Sequence, residues 1–150
     1  MSETTLQKNT RRELWIAVGG YWRKIWAGPY QSAGVLDIIG CCQGLAFFFE
    51  TKNPSKFKLE PLQENEIEEI IQEGRGVAAV IFYPWQAIGV VKRTLDQHGL
   101  LQAAIAGTDE RRRLVDQASS KTGRRRFILG TGDRQDNHII SPHTKVVRKI

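Results

Sequence analysis

Cysteine is scarce in this chain of 150 residues: there are two, Cys41 and Cys42, side by side. Adjacent residues of a strand point to opposite faces, so the pair implies neither a metal knuckle nor a disulfide framework. That fits a reducing, intracellular compartment. Long apolar runs are also missing, and none approaches the roughly 18 residues of a membrane span. The N-terminal stretch MSETTLQKNTRRE is polar and lacks the apolar segment of a signal peptide. Internal repeats and low-complexity tracts are absent too, which excludes solenoids and disordered linkers. A cytoplasmic protein without membrane contact is expected.

What remains is the composition of an ordinary globular domain, 41% hydrophobic and 25% charged. One domain of this length can close a real core. The net charge of +6 is unevenly placed. Residues 111–150 hold eleven Lys and Arg against three acids, whereas residues 1–110 hold eleven against thirteen. A near-neutral body with a basic C-terminal third suggests contact with a polyanion, the alternative being a solvated basic tail.

Asn9-Thr10-Arg11-Arg12-Glu13 reads as a helix start, with Thr10 and Glu13 at capping-box spacing. Leu14, Val18, Tyr21 and Ile25 recur at helical spacing, Trp15, Trp22 and Trp26 thicken that side, and Ala27-Gly28-Pro29 stops the helix. Two short apolar runs follow, VLDIIGCC and LAFFFETK, joined by Gln43-Gly44 as a tight hairpin. A helix from Pro61 to Gly74, a buried strand in Gly76–Tyr83 and a helix over about 85–97 come next. A short helix over about 110–118 follows, and RRRFIL is a possible further strand. The order argues for an α/β fold, a mixed central sheet flanked by helices.

With Gln43 and Gly44 at the tip, Cys42 faces Leu45 and Asp37 faces Glu50, their Cβ atoms about 5 Å apart. Lys52 lies two residues beyond Glu50 and shares its face. Two carboxylates so close repel unless a cation sits between them. A hard divalent ion such as Mg²⁺ resolves the conflict, and a water on it, oriented by the Lys52 amine, is a nucleophile suited to a phosphodiester. The competing reading makes Glu50 and Lys52 an ion pair at a strand end and Asp37 a turn residue.

Gly34-Val35-Leu36-Asp37 followed by Phe49-Glu50-Thr51-Lys52 resembles the core motif of the PD-(D/E)XK nuclease superfamily. The spacing and the short chain resemble its Holliday-junction-resolvase-like and VRR-NUC branches. The likeness covers roughly residues 10–83, and Leu36 stands where a proline often precedes the aspartate. It implies that Asp37, Glu50 and the backbone carbonyl of Thr51 bind Mg²⁺, or Mn²⁺ in its place, while Lys52 serves the attacking water. It also implies an acid on the first helix and a glutamine on the helix after the motif, places that Glu13 and Gln63 occupy.

The fold so implied is a restriction-endonuclease-like core with a basic C-terminal extension. One nuclease domain over 1–150 is expected, its core at about 10–98 and the extension at about 108–150. The activity implied is metal-dependent endonucleolytic cleavage of duplex or branched, Holliday-junction-like DNA by a homodimer, nucleoid-associated if cellular. Lys56 and Lys58, in the loop after the motif, suit phosphate contacts. The triplets Arg111, Arg112, Arg113 and Arg124, Arg125, Arg126 could straddle a phosphate backbone. His138 and His143 match no metal-ligand spacing. Two rivals remain: a non-catalytic nucleic-acid-binding module with a vestigial site, and a small interaction protein whose charges are surface ion pairs.

Overall fold

Ser2 opens the first helix, its hydroxyl accepting the Thr5 N–H at 3.2 Å. In the computed structural model, which describes residues 1–26, 28–29 and 33–120, helix α1 runs over Glu3–Val18. Leu6, Gln7, Thr10, Leu14 and Val18 form its buried stripe. The expected start at Thr10 is therefore corrected: Thr10 is fully buried in mid-helix, where it can cap nothing. The expected end near Ile25 is corrected as well. Gly19 and Gly20 both take positive φ, at 68° and 83°, and stop the helix. Gly20 then passes so close to the next strand that an added Cβ would lie 2.8 Å from the Cys41 carbonyl oxygen.

Tyr21–Lys24 is thus a strand, β1, paired antiparallel with β2 (Ile38–Cys42). Strand β2 turns through Gln43 and Gly44, with φ of 51° and 81°, into β3 (Leu45–Thr51). Positive φ at both positions is what a two-residue hairpin matched to strand twist requires. The register is the expected one, Cys42 facing Leu45 and Ile38 facing Phe49. Pro61 sits in the first turn of helix α2 (Pro61–Gln72), which leads to β4 (Val77–Ile81), parallel to β3. Helices α3 (Pro84–Gln97), α4 (Leu101–Ile105) and α5 (Thr108–Ser120) complete the described chain.

The sheet order is β1-β2-β3-β4, a mixed sheet with helices on both sides, as the pattern of elements argued. Trp22, Ile38, Phe47, Phe49 and Ile81 pack against Leu14 and Val18 of α1 and Ala87, Val91 and Leu95 of α3. The opposite face meets α2, where Gly76 passes between Ile70 and Phe48. Cys42 is buried and Cys41 exposed, the two faces their adjacency implies. Among the described residues no helix is long and apolar enough to cross a membrane. RRRFIL, Arg124 to Arg126, His138 and His143 lie outside the described residues.

Trp22 lies over Gly40, its cross-strand partner, and its indole N–H donates to the Gly19 carbonyl at 2.7 Å. A Cβ on Gly40 would come within 2.1 Å of the indole ring. Gly40→Ala should therefore cost about 1–3 kcal/mol by overpacking, and Trp22→Ala about 3–5 kcal/mol by leaving a cavity. In urea denaturation the double variant should lose less than the sum, because the new methyl then has room. Strict additivity would mean that the ring does not fill the space above Gly40.

Candidate active site

Glu50 is the next-to-last residue of β3 and only 2% exposed, an expensive place for a carboxylate. Two groups hold one of its oxygens. Lys52 Nζ lies 2.9 Å from Oε1, and Gln63 Nε2, from the first turn of α2, donates to the same atom at 2.5 Å. The other oxygen, Oε2, is buried and has no hydrogen-bond partner. Burial pushes the Glu50 carboxyl above the usual carboxylate range. The hydrogen bond and charge of Lys52 and the Gln63 hydrogen bond pull it back, and the nearby Asp37 charge adds to the rise. Sequence spacing brought Asp37, Glu50 and Lys52 together, and the structure places all three here, with Gln63 beside them.

Asp37 lies just before β2, in a bend. Its Oδ2 accepts from the Thr51 backbone N–H at 2.9 Å and from the Thr51 hydroxyl at 2.5 Å. The Thr51 hydroxyl oxygen in turn accepts from Gln7 Nε2 of α1 at 3.1 Å. Helix α1 is thereby tied to the aspartate through a buried threonine. Beyond Thr51, the Lys52 N–H continues the parallel ladder to the Ile81 carbonyl at 3.0 Å.

Glu13 is not part of this cluster. It pairs with Arg12 at 3.3 Å and with Arg112 of α5 at 3.4 Å. Six residues separate it from Gln7, which puts it about 120° around the helix. The acid of the first helix that does lie near the site is Glu3, which lines a cavity with Leu6, Lys52, Asn53 and Tyr83. Sequence reasoning missed Gln7 and Glu3 because it began the helix too late. A start at Ser2 would have put Glu3, Gln7, Thr10 and Leu14 on one helical stripe.

The basic residues divide. Lys56 is exposed, at the end of a short 3₁₀ turn (Pro54–Lys56), and Lys58 makes an exposed pair with Glu60 at 3.6 Å. Arg111, expected within a triplet open to phosphate, is turned inward. It donates to the carbonyls of Ile16 at 3.0 Å and Ala104 at 2.7 Å, near the C-terminal ends of α1 and α4. Arg112 reaches Glu13, and Arg113 forks onto Glu110 at the surface. The three do not form one open cluster.

The donor set suits a hard cation. Among the described residues no group of three or more His, Cys, Asp and Glu side chains could hold an ion. Asp37 and Glu50 supply two carboxylates, too few side chains for a structural Zn²⁺ site and compatible with a hard divalent ion that keeps several waters. The unpartnered Glu50 Oε2 is a buried oxygen that such an ion would satisfy.

No family model and no curated protein matches the sequence. Among solved structures, the chain is similar to a VRR_NUC domain, with 25% identity and a TM-score of 0.49 over 60% of this chain and 94% of that one.

A carboxyl held above its unfolded value binds its proton more tightly in the fold. Its contribution favours folding below the unfolded value and is lost as pH rises through the folded one. Chemical denaturation of metal-free protein should therefore show wild type losing ground to Glu50→Gln from about pH 4 towards neutrality. Added Mg²⁺ should stabilise wild type and leave the variant unmoved. A constant stability difference across that range would show that Glu50 titrates as an ordinary surface acid.

Proposed function

We propose that the protein is a Mg²⁺-dependent endonuclease that hydrolyses phosphodiester bonds in duplex or branched DNA, four-way junctions included. One observation carries the reading: a buried Glu50 carboxylate with an unpartnered oxygen, beside Asp37, with an amine 2.9 Å from its other oxygen. Asp37, Glu50 and the Thr51 carbonyl would hold the ion, which when bound supplies Lewis acidity and an acidified water. Lys52 holds a positive charge and three donors where a phosphate oxygen and the attacking water meet. Gln63 fixes the rotamer of Glu50, and the Thr51 hydroxyl, backed by Gln7, fixes that of Asp37. The chain's own part is thus to hold the oxygens still and to orient the nucleophile.

In this reading residues 1–150 act as one nuclease domain. DNA is the partner, with Mn²⁺ able to replace Mg²⁺ and Ca²⁺ permitting binding with little cleavage. Two copies of the chain would bring one site to each strand of a duplex. Lys56, Lys58, Arg112, Arg113 and Arg124 to Arg126 are the cations offered to the phosphates, and Arg111 is left to its carbonyls.

Incubation with linear, flapped, nicked and four-way-junction DNAs in Mg²⁺ tests the activity directly. Asp37→Asn and Lys52→Met should each lower cleavage by about a hundredfold or more, the scale of losing one group that stabilises the transition state. Metal-free DNA affinity of Asp37→Asn should hold or rise, since one fewer negative charge faces the phosphates. Near-normal cleavage by Asp37→Asn would refute the site.

The basic C-terminal third makes a separate forecast. Neutralising Arg124, Arg125 and Arg126 together should flatten the dependence of affinity on salt, by about 0.9 logarithmic units for each phosphate no longer neutralised. An unchanged slope would show that the triplet does not touch the backbone.

A further inference from the structure

Next to Lys52 lies a feature that metal-assisted hydrolysis does not use. Phe57, Tyr83 and Trp85 are 53%, 46% and 67% exposed, unusual for rings of this size on a small domain. The Tyr83 and Trp85 rings lie nearly parallel, with centroids 6.1 Å apart and planes at 8°. Phe57 meets Phe82 edge-on at 5.3 Å. Phe82 and Tyr83 both line the cavity that contains Lys52, Asn53 and Pro54. Its volume is about 170 Å³. That is below the roughly 300–1,000 Å³ of a pocket that encloses a whole small molecule.

The surface is held in place. Gln86 Oε1 accepts the backbone N–H groups of Phe82 at 2.7 Å and Tyr83 at 3.1 Å. Pro84 stiffens the corner at the first turn of α3. Lys52 stands in the cavity wall with Glu3, and Lys56 and Lys58 flank Phe57 in the chain, Lys58 paired with Glu60 at 3.6 Å. Flat aromatic faces among lysines are the chemistry of single-stranded nucleic acid binding, in which each base offers a π-face and each phosphate a charge. A base inside a duplex is already stacked and cannot reach them.

Resting on the nuclease reading above, we propose that Tyr83 and Trp85, with Phe57 alongside, stack an unpaired nucleobase next to the scissile phosphate. The substrate is then DNA with single-stranded nucleotides at the cut, such as a flap, a gap or a frayed junction arm. Continuity with the wall that holds Lys52 is what ties the shelf to the DNA and not to a separate partner.

The test is metal-free binding of the full chain, in EDTA, to a paired linear duplex and to the same duplex carrying a single-stranded flap with 2-aminopurine at its base. Wild type should prefer the flapped DNA and quench the probe. Trp85→Ala should lose about tenfold in affinity for the flapped DNA, far less for the duplex, and much of the quenching. Trp85→Phe should keep most of both, and neither variant should change thermal stability. Equal losses on the two DNAs, or none on either, would overturn the proposal. So would a drop in the solution mass of Trp85→Ala, which would make the shelf an interface between copies of the chain. Failure of the nuclease reading has its own signature, the absence of Mg²⁺-dependent cleavage by wild type, and is measured apart from binding.

Discussion

A carboxylate buried at the end of a central strand governs how the elements around it are arranged. Strand β3 is hydrogen-bonded on both sides, to β2 and to β4, so Glu50 cannot turn to solvent without leaving the sheet. An ion in that position costs several kcal/mol unless other groups replace its water. Lys52 and Gln63 replace it at one oxygen only. Helix α2 must therefore begin where it does, with Pro61 in its first turn and Gln63 over the strand end. The second oxygen is left unmet, which a fold under pressure for stability alone would have repaired with an apolar side chain. In the proposed nuclease, that oxygen is the reason for the burial.

The second support comes from the opposite face of the sheet. Gln7 reaches Thr51, and Thr51 holds Asp37, so the two carboxylates are positioned by different helices on different sides of β3. Nine residues further along α1, about 13 Å at the helical rise, Arg111 closes the other end of the helix by binding the Ile16 carbonyl. Helix α5 thus serves α1 as an anchor. A guanidinium committed to two backbone carbonyls is part of the scaffold, however basic the surrounding sequence looks.

Much of this was legible in the residues themselves. A two-residue turn between alternating strands leaves one register that buries the phenylalanines, and that register sets Asp37 opposite Glu50. Alternation then puts Lys52 with Glu50 and separates Cys41 from Cys42. Strand β1 was not legible, because Leu14, Val18, Tyr21 and Ile25 fit a continuing helix by spacing alone. Strand β1 forms because Gly40 leaves room for the Trp22 ring and Gly20 lets the backbone pass Cys41, both contacts with a strand some twenty residues away.

Local order in the chain, then, was enough to determine the hairpin, its register and the convergence of Asp37, Glu50 and Lys52, since strand periodicity acts over a few residues. Which first-helix residue supports the site was decided only in three dimensions. Glu13 and Gln7 are both polar residues of one amphipathic helix, and the choice between them depends on the angle at which α1 packs on the sheet. The same holds for Arg111 among its neighbours and for Tyr83, which lines one cavity wall with Lys52. Long-range packing sets those positions: helical spacing from Ser2 groups Gln7 with Thr10 and Leu14 but does not say what that stripe meets.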